Sequence, residues 1–237
     1  MAYKRVLLKL SGEQLAGEYD FGVNPKIVDY LANEVKKALK VGVQLVLIVG
    51  GGNMVRGAEV AGNGIRNVTA HQMGMLSGLI NSMAVTDIFE AHGIPTRCLS
   101  NVHAETLAEN YSYRRAEKHL QQGRVVIVAG GSGRSYVTHD TAAVMFGLEL
   151  DCEVILKATK VDGVYDKDPR KFDDAVLIKH MTLHEAVTNQ AVAVMDKAAL
   201  GLALEHKKPL IVFNPMEPGN LAAVVAGKEI GTNITEE

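Results

Sequence analysis

The chain has only two cysteines in 237 residues, Cys98 and Cys152, and their spacing suits neither a metal-ligand pair nor a disulfide framework. Both are expected as reduced core thiols of a cytosolic protein. No block of like charge occurs. Twenty-five basic side chains stand against 27 acidic ones, a formal net charge of −2, which argues against a nucleic-acid or membrane-surface footprint. No apolar run reaches the ~18 residues that a spanning helix requires. The first run, "VLLKL", is broken by Lys9 and reads as a strand rather than a signal peptide. No Pro/Gly/Ser-rich linker divides the sequence, so residues 1–237 are expected to form a single domain.

The common nucleotide fingerprints are missing too. "GGGNMVRG" (50–57) lacks the G-x-G-x-x-G spacing, and no Gly-Lys-Ser/Thr follows it as in a Walker A loop. No convincing Ser-His-Asp or Cys-His set is present.

What remains is an alternation of apolar runs and helical patterns. "KRVLLKL", "VQLVLIV", "TRCLS", "RVVIVA", "CEVILKA" and "PLIVFN" read as strands. Helices are predicted from Asn24-Pro25, a cap followed by proline, over residues 67–91, and in "AETLAENYSYRRAEKHLQQ". Further helices are predicted in "TAAVMFGLEL", after the capping box Thr182-x-x-Glu185, and in "VMDKAALGLALEHK". The polar stretch "VYDKDPRKFDDAV" reads as a hairpin or flap. This order predicts an α/β fold, a mostly parallel sheet with helices on both faces. The Met73, Met75 and Met83 stripe reads as core or subunit interface.

Ligands of such sheets sit beyond the carboxyl ends of the strands, and four motifs stand there. "LLKLSGE" puts Lys9 beside the turn Ser11-Gly12, either a phosphate nest or an ordinary strand end. "IVGGGNMVRG" offers Gly50–Gly52 and then Arg56, either an anion cradle or a close strand-to-helix turn. "GGSGRSYVTHDTAA" (130–143) bends at Gly130, Gly131 and Gly133, with Asp140 at the start of the next helix. "KATKVDGVYDKDP" carries Lys157 and Lys160 around Thr159, and either lysine could be a solvated strand end. Two glycine nests with Lys9 and Arg56 suit a pair of highly anionic ligands. Phosphoryl transfer between phosphates has that need, and an ionised phosphate acceptor requires little or no general base.

"LLKLSGE", "GGGNMVRG", "DTAA", "LKATKVDGVYDKDP", "VMDKAAL" and "IVFN" occur here in the order found in bacterial uridylate (UMP) kinases of the amino acid kinase superfamily. The chain resembles them from about residue 4 to 235. The resemblance implies a three-layer α/β/α sandwich with a mainly parallel central sheet. Its acceptor-binding part covers about 1–150 and its ATP-binding part about 151–237. It implies transfer of the ATP γ-phosphate to UMP, Mg²⁺ held mainly through nucleotide phosphates, a homohexamer, and a cytoplasmic place in pyrimidine nucleotide synthesis.

Residue by residue, the resemblance gives Lys9 the transferring phosphoryl group, and Leu10, Ser11 and Gly12 the phosphate turn. Asp140 organises the lysines and metal, and Asp196 lies near the transfer centre. Gly52 and Arg56 match phosphate contacts. Thr159, Tyr165 and Asp168 match the ATP site. Gly51, His71, Ser132, Gly133, Arg134, Ser135, Tyr136, Val137, Thr138 and His139 match the UMP side. Arg97, Tyr113 and Arg124 stand where GTP or UTP effectors are expected.

Three departures fall on the acceptor side: His71 stands for an aspartate, Arg134 for an asparagine and His139 for a threonine. Arg134 and His139 are expected to add donors for the acceptor phosphate or base. His139 is expected to gain charge near its ordinary pKa of ~6.5. Lineage drift with an unchanged acceptor, a changed acceptor, and a His71/His139/Asp140 metal site all remain open. So do another small phosphate, carboxylate or carbamate acceptor, and a non-catalytic anion-binding or storage protein on the same fold.

Overall fold

The computed structural model describes residues 2–55, 64–189 and 194–237. The strands are β1 (Arg5–Leu10), β2 (Gln44–Val49), β3 (Thr96–Ser100), β4 (Glu109–Asn110), β5 (Val125–Ala129), β6 (Val154–Ala158), β7 (Val164–Tyr165), β8 (Leu177–Ile178), β9 (His180–Thr182), β10 (Leu210–Phe213) and β11 (Thr232–Thr235). One nine-stranded sheet has the order β4-β3-β5-β2-β1-β6-β10-β11-β9, while β7 and β8 form a separate antiparallel hairpin. Among the described residues the pairs from β4 across to β10 are parallel, β10–β11 is antiparallel and β11–β9 is parallel. The fold class and the hairpin in "VYDKDPRKFDDAV" are as expected.

The central strands are apolar on both faces because helices cover both. Successive side chains of a strand point to opposite sides. Leu7, Val46, Ile48, Val126, Val128 and Ile155 pack with α4 (Tyr113–Gln121), α5 (His139–Glu149), α6 (Leu183–Thr188) and α7 (Lys197–Glu205). Their neighbours Val6, Leu8, Leu45, Leu47, Ile127 and Leu156 pack with α1 (Gly12–Ala16), α2 (Pro25–Leu39), α3 (Asn67–Ala91) and α8 (Asn220–Val225). Each fully buried leucine or valine contributes roughly 1.5–3 kcal/mol, so this three-layer packing is what holds the sheet.

Three helix boundaries are corrected. The run 104–122 is helical only over Tyr113–Gln121. Before it, Glu109–Asn110 adds an edge strand to β3, and the Tyr111 N–H donates to Ser100 O. Ser112 then caps α4 by accepting from the Arg115 N–H. Asp196, read inside a helix, is instead the N-cap of α7. The start of α5 also lies earlier than the sequence suggests, at His139.

Candidate active site

Strand parity places the charged centre. Lys9 follows Leu7 by two residues, so it points to the face that α5 covers. In the β1–β6 register Lys9 stands directly beside Lys157, which follows Ile155 by two and points the same way. Asp140, in the first turn of α5, meets both. Lys9 Nζ lies 2.7 Å from Asp140 Oδ1, and Lys157 Nζ donates to Oδ1 at 2.7 Å and to Oδ2 at 2.6 Å. Burial by itself would raise the Asp140 carboxyl, but Lys9 and Lys157 outweigh it and hold its pKa below the ordinary value. Lys157 is pushed down to about 8, by burial first and by Lys9 second, against the pull of Asp140. Two cations therefore share one anion, leaving the centre short of negative charge. An incoming phosphoryl group can supply it.

Asp196 braces this centre. Its carboxylate accepts from the Ala198 and Ala199 N–H groups at 3.0 Å, capping α7. It also accepts from the Thr141 hydroxyl at 2.9 Å and from the Thr138 hydroxyl. Thr138 in turn caps α5 through the Asp140 and Thr141 N–H groups at 3.1 Å. The carboxylate of Asp196 thus fixes the turn that aims Asp140.

The two glycine turns interlock next to the centre. A Cβ on Gly12 would stand 2.2 Å from Asn53 Oδ1 and 2.8 Å from Gly52 N, so no larger residue fits there. Asn81 of α3 pins the second turn: its Nδ2 donates to Gly50 O at 2.6 Å and to Asn53 Oδ1 at 2.7 Å. Asn53 also ties in the loop after α1, donating to Gly22 O at 2.6 Å.

A cavity lies on either side. The first, of about 400 Å³, is lined by Gly51, Gly52 and Val55, by Asn67, Ala70, His71, Gly74 and Met75 of α3, and by Val137, Thr138 and His139. The second, of about 470 Å³, collects Ser11, Lys157, Thr159, Lys160, Tyr165 and Asp168 under the β7–β8 hairpin. Both volumes fall within the ~300–1,000 Å³ range of small-molecule sites. Asp140 links them, being next to His139 in the chain and bonded to Lys157.

Residues 4–214 match the family model of the amino acid kinases. The chain belongs to the amino acid kinase family. It is also similar to a UMP kinase from Bacillus anthracis, with 34% identity and a TM-score of 0.94, covering 100% of this chain and 98% of that one. A UMP kinase from Ureaplasma parvum is 28% identical at a TM-score of 0.90, over 99% and 100% of the two chains. A uridylate kinase from Archaeoglobus fulgidus, 22% identical at a TM-score of 0.72 over 99% and 100%, shares the fold. As an amino acid kinase this chain catalyses phosphoryl transfer, and the Lys9–Asp140–Lys157 cluster offers concentrated positive charge of a kind that can suit such a transfer.

Within this amino acid kinase, most of the expected residues converge. Gly51, Gly52, His71, Val137, Thr138 and His139 line the first cavity, and Ser11, Thr159, Tyr165 and Asp168 line the second. Thr159 is partly a structural anchor, its hydroxyl donating to Val161 O at 2.7 Å. Asp168 is bonded to Arg170 Nε at 3.0 Å. Leu10 places its side chain in the core and its carbonyl accepts from the Gly50 N–H. Ser132, Gly133 and Ser135 shape the turn from outside the cavity. Ser135 Oγ donates to Val68 O, and Asn101 abuts Gly133. Arg134 is exposed and does not line the cavity. Arg56 lies outside the described residues. No group of three His, Cys, Asp or Glu side chains among the described residues is arranged to hold a metal, so the alternative of a His71/His139/Asp140 metal site finds no support. Lys157 is the residue that the sequence left undecided, and Asn53 and Asn81 are those it missed. A lone amide in the apolar stretch "GLINSM" was the available signal for Asn81.

The expected cationic His139 is corrected. Burial first, and then the charge of Lys9, push it from 6.5 down to about 4, and it is neutral at pH 7. Its Nε2 is shut off from solvent and makes no hydrogen bond among the described residues. The ring fits only because α3 has a glycine opposite. A Cβ on Gly78 would stand 2.5 Å from His139 Nε2, and one on Gly131 would stand 3.4 Å from it. A mid-helix glycine costs roughly 0.5–1 kcal/mol relative to alanine, yet here Gly78→Ala is expected to destabilise by about 1–3 kcal/mol through overpacking. Thermal unfolding checks this, and Gly78→Ala/His139→Thr should recover the loss. A single Gly78→Ala protein as stable as wild type would show that the ring has room elsewhere.

Proposed function

We propose that this chain transfers the γ-phosphoryl group of ATP to UMP, giving ADP and UDP. The observation that carries the reading is the Lys9–Asp140–Lys157 cluster with one cavity on each side, in a chain 34% identical to a UMP kinase over its full length. UMP occupies the cavity of His71 and His139, built from residues before 150. ATP occupies the cavity under the hairpin, built mostly from residues after 150. An oxygen of the UMP phosphate attacks the γ-phosphorus as the bond to the β–γ bridging oxygen breaks, and ADP leaves with that oxygen. The acceptor, with a second pKa near ~6, is already ionised, so no general base is required. Lys9 neutralises the moving group. Lys157 reaches the ATP side. His139 lines the acceptor cavity as a neutral ring, its Nε2 turned toward Gly78.

The described residues offer no carboxylate cage, because Asp140 is held by two lysines and Asp196 by four donors. That set fits Mg²⁺ brought in on the nucleotide phosphates. When bound, the ion withdraws charge from the β- and γ-oxygens. The setting is the cytoplasmic synthesis of pyrimidine nucleotides.

The test is a coupled ADP-release assay with UMP, CMP, dUMP and AMP. UDP formation from UMP in preference to the others supports the reading. Turnover of another acceptor alone would give the site to that acceptor, an outcome that His71, Arg134 and His139 keep in view.

Assembly follows α3. Of the methionine stripe, Met75 belongs to the core as a cavity wall, while Met73 and Met83 share the outward face of α3 with Leu76 and Ile80, which are 48% and 51% exposed. This face is expected to be covered by a second copy on the way to a hexamer. Light scattering giving a monomer at micromolar concentration rejects it. Of the effector residues, Arg124 lines a cleft of about 520 Å³ with Arg114, Arg115 and Lys118, suited to GTP or UTP phosphates. Tyr113 opens α4 beside it, whereas Arg97 is bonded to Glu90 at 2.6 Å.

A further inference from the structure

The ring of Tyr136 stands on that of His71, with centroids 4.8 Å apart and planes tilted by 48°. His71 lines the first cavity and Tyr136 does not. Tyr136 is 68% exposed, so its ring is not held by the core. Its backbone has φ +67°, a left-handed conformation that an aromatic residue rarely adopts. Such a conformation persists where neighbouring contacts impose it, and two are present. Ser135 Oγ grips Val68 O at 3.3 Å, and the Tyr136 ring meets His71 one turn further along α3. The loop tip therefore clasps the helix from outside the cavity, and the member of the clasp that faces inward is the His71 imidazole.

We propose that Tyr136 is a positioning residue for the acceptor, holding the His71 ring so that it recognises the sugar–base end of a nucleoside monophosphate. This rests on the assignment of the first cavity to the acceptor. A backed imidazole presents a flat polarisable face and one ring nitrogen. A heteroaromatic base can lie against the face, and a ribose hydroxyl can bond the nitrogen. A bare carboxylate or acyl phosphate could bond the nitrogen but has no ring to lie against the face, so the clasp favours nucleotides.

Tyr136→Gly and Tyr136→Phe separate ring from backbone. Glycine keeps the left-handed turn and loses the ring, while phenylalanine keeps the ring. Tyr136→Gly should raise KM for UMP roughly two- to tenfold, the worth of one aromatic pair, with a smaller change in kcat and in KM for ATP. Tyr136→Phe should retain the wild-type KM. The His71 ring-proton resonance should shift in Tyr136→Gly, which loses the ring current, and stay in place in Tyr136→Phe. The chain has no tryptophan, so Tyr136→Trp places a single indole reporter whose fluorescence should respond to UMP and not to ATP alone. A wild-type KM for UMP in Tyr136→Gly, or a His71 resonance indifferent to that change, overturns the proposal. Absence of UDP in the wild-type assay would overturn the proposed function instead. The resonance and the indole titration still decide the clasp in such a protein.

Discussion

Replacing Lys9 by alanine is expected to cut kcat by about 10²–10³-fold and to change KM for ATP only slightly. The asymmetry follows from where the ammonium sits. Lys9 is 7% exposed at the end of β1, bonded to Asp140, and lines neither cavity. Under the proposed function its charge sits at the junction between the two phosphates rather than in the cavity assigned to ATP. The fold should survive, because Lys157 still neutralises Asp140. A pH signature accompanies the loss. Lys9 is one of the causes that lower Lys157 to about 8, so removing Lys9 raises Lys157. In wild type, kcat/KM for ATP should fall as pH rises through about 8, where Lys157 loses its charge. In Lys9→Ala that limb should move to higher pH, measured on the residual activity. Near-normal turnover would remove Lys9 from the mechanism, and an unmoved limb would detach it from Lys157.

The sheet was legible because strands buried on both faces leave continuous apolar runs, and Lys9 was legible as the charge that interrupts one. The short elements were not. Strands β4, β9 and β11, with helices α1 and α8, span two to six residues each, too few for a period to show, and pairing with longer neighbours defines them. Lys157 was ambiguous because "LKATK" carries two lysines. Only the register that sets Lys9 beside Lys157 decides which of them turns inward. The misread state of His139 has a similar cause. Its neutrality depends on a slot opened by Gly78, some sixty residues away in the chain, and no local pattern reports that.

Asp140→Asn should abolish most activity and also destabilise the fold, by about 3–5 kcal/mol at pH 7, the usual result of removing one partner from a buried ionic cluster. Two buried ammonium groups would be left facing an amide. The folded pKa of Asp140 is lowered, so its stabilising contribution is present above the ordinary carboxylate range and disappears as pH falls through the folded value. Lys157 acts in the other direction. Its folded pKa of about 8 lies below the 10.5 of free lysine, so between these values the unfolded chain binds more protons and stability rises with pH. Asp140 is the group that raises Lys157, and without it the folded pKa drops further and the window widens downward. The difference in stability between wild type and Asp140→Asn should therefore shrink between pH 7 and pH 10. Urea midpoints at each pH, with the slope unchanged, measure it. Tyr111, Cys98 and Cys152, all raised by burial, weaken both proteins alike at high pH and cancel in the difference. Adding Lys157→Met to Asp140→Asn should recover part of the stability and none of the turnover. A difference that grows with pH would mean that Lys157 is not held charged against its burial, and the shared-anion reading of the centre would fail.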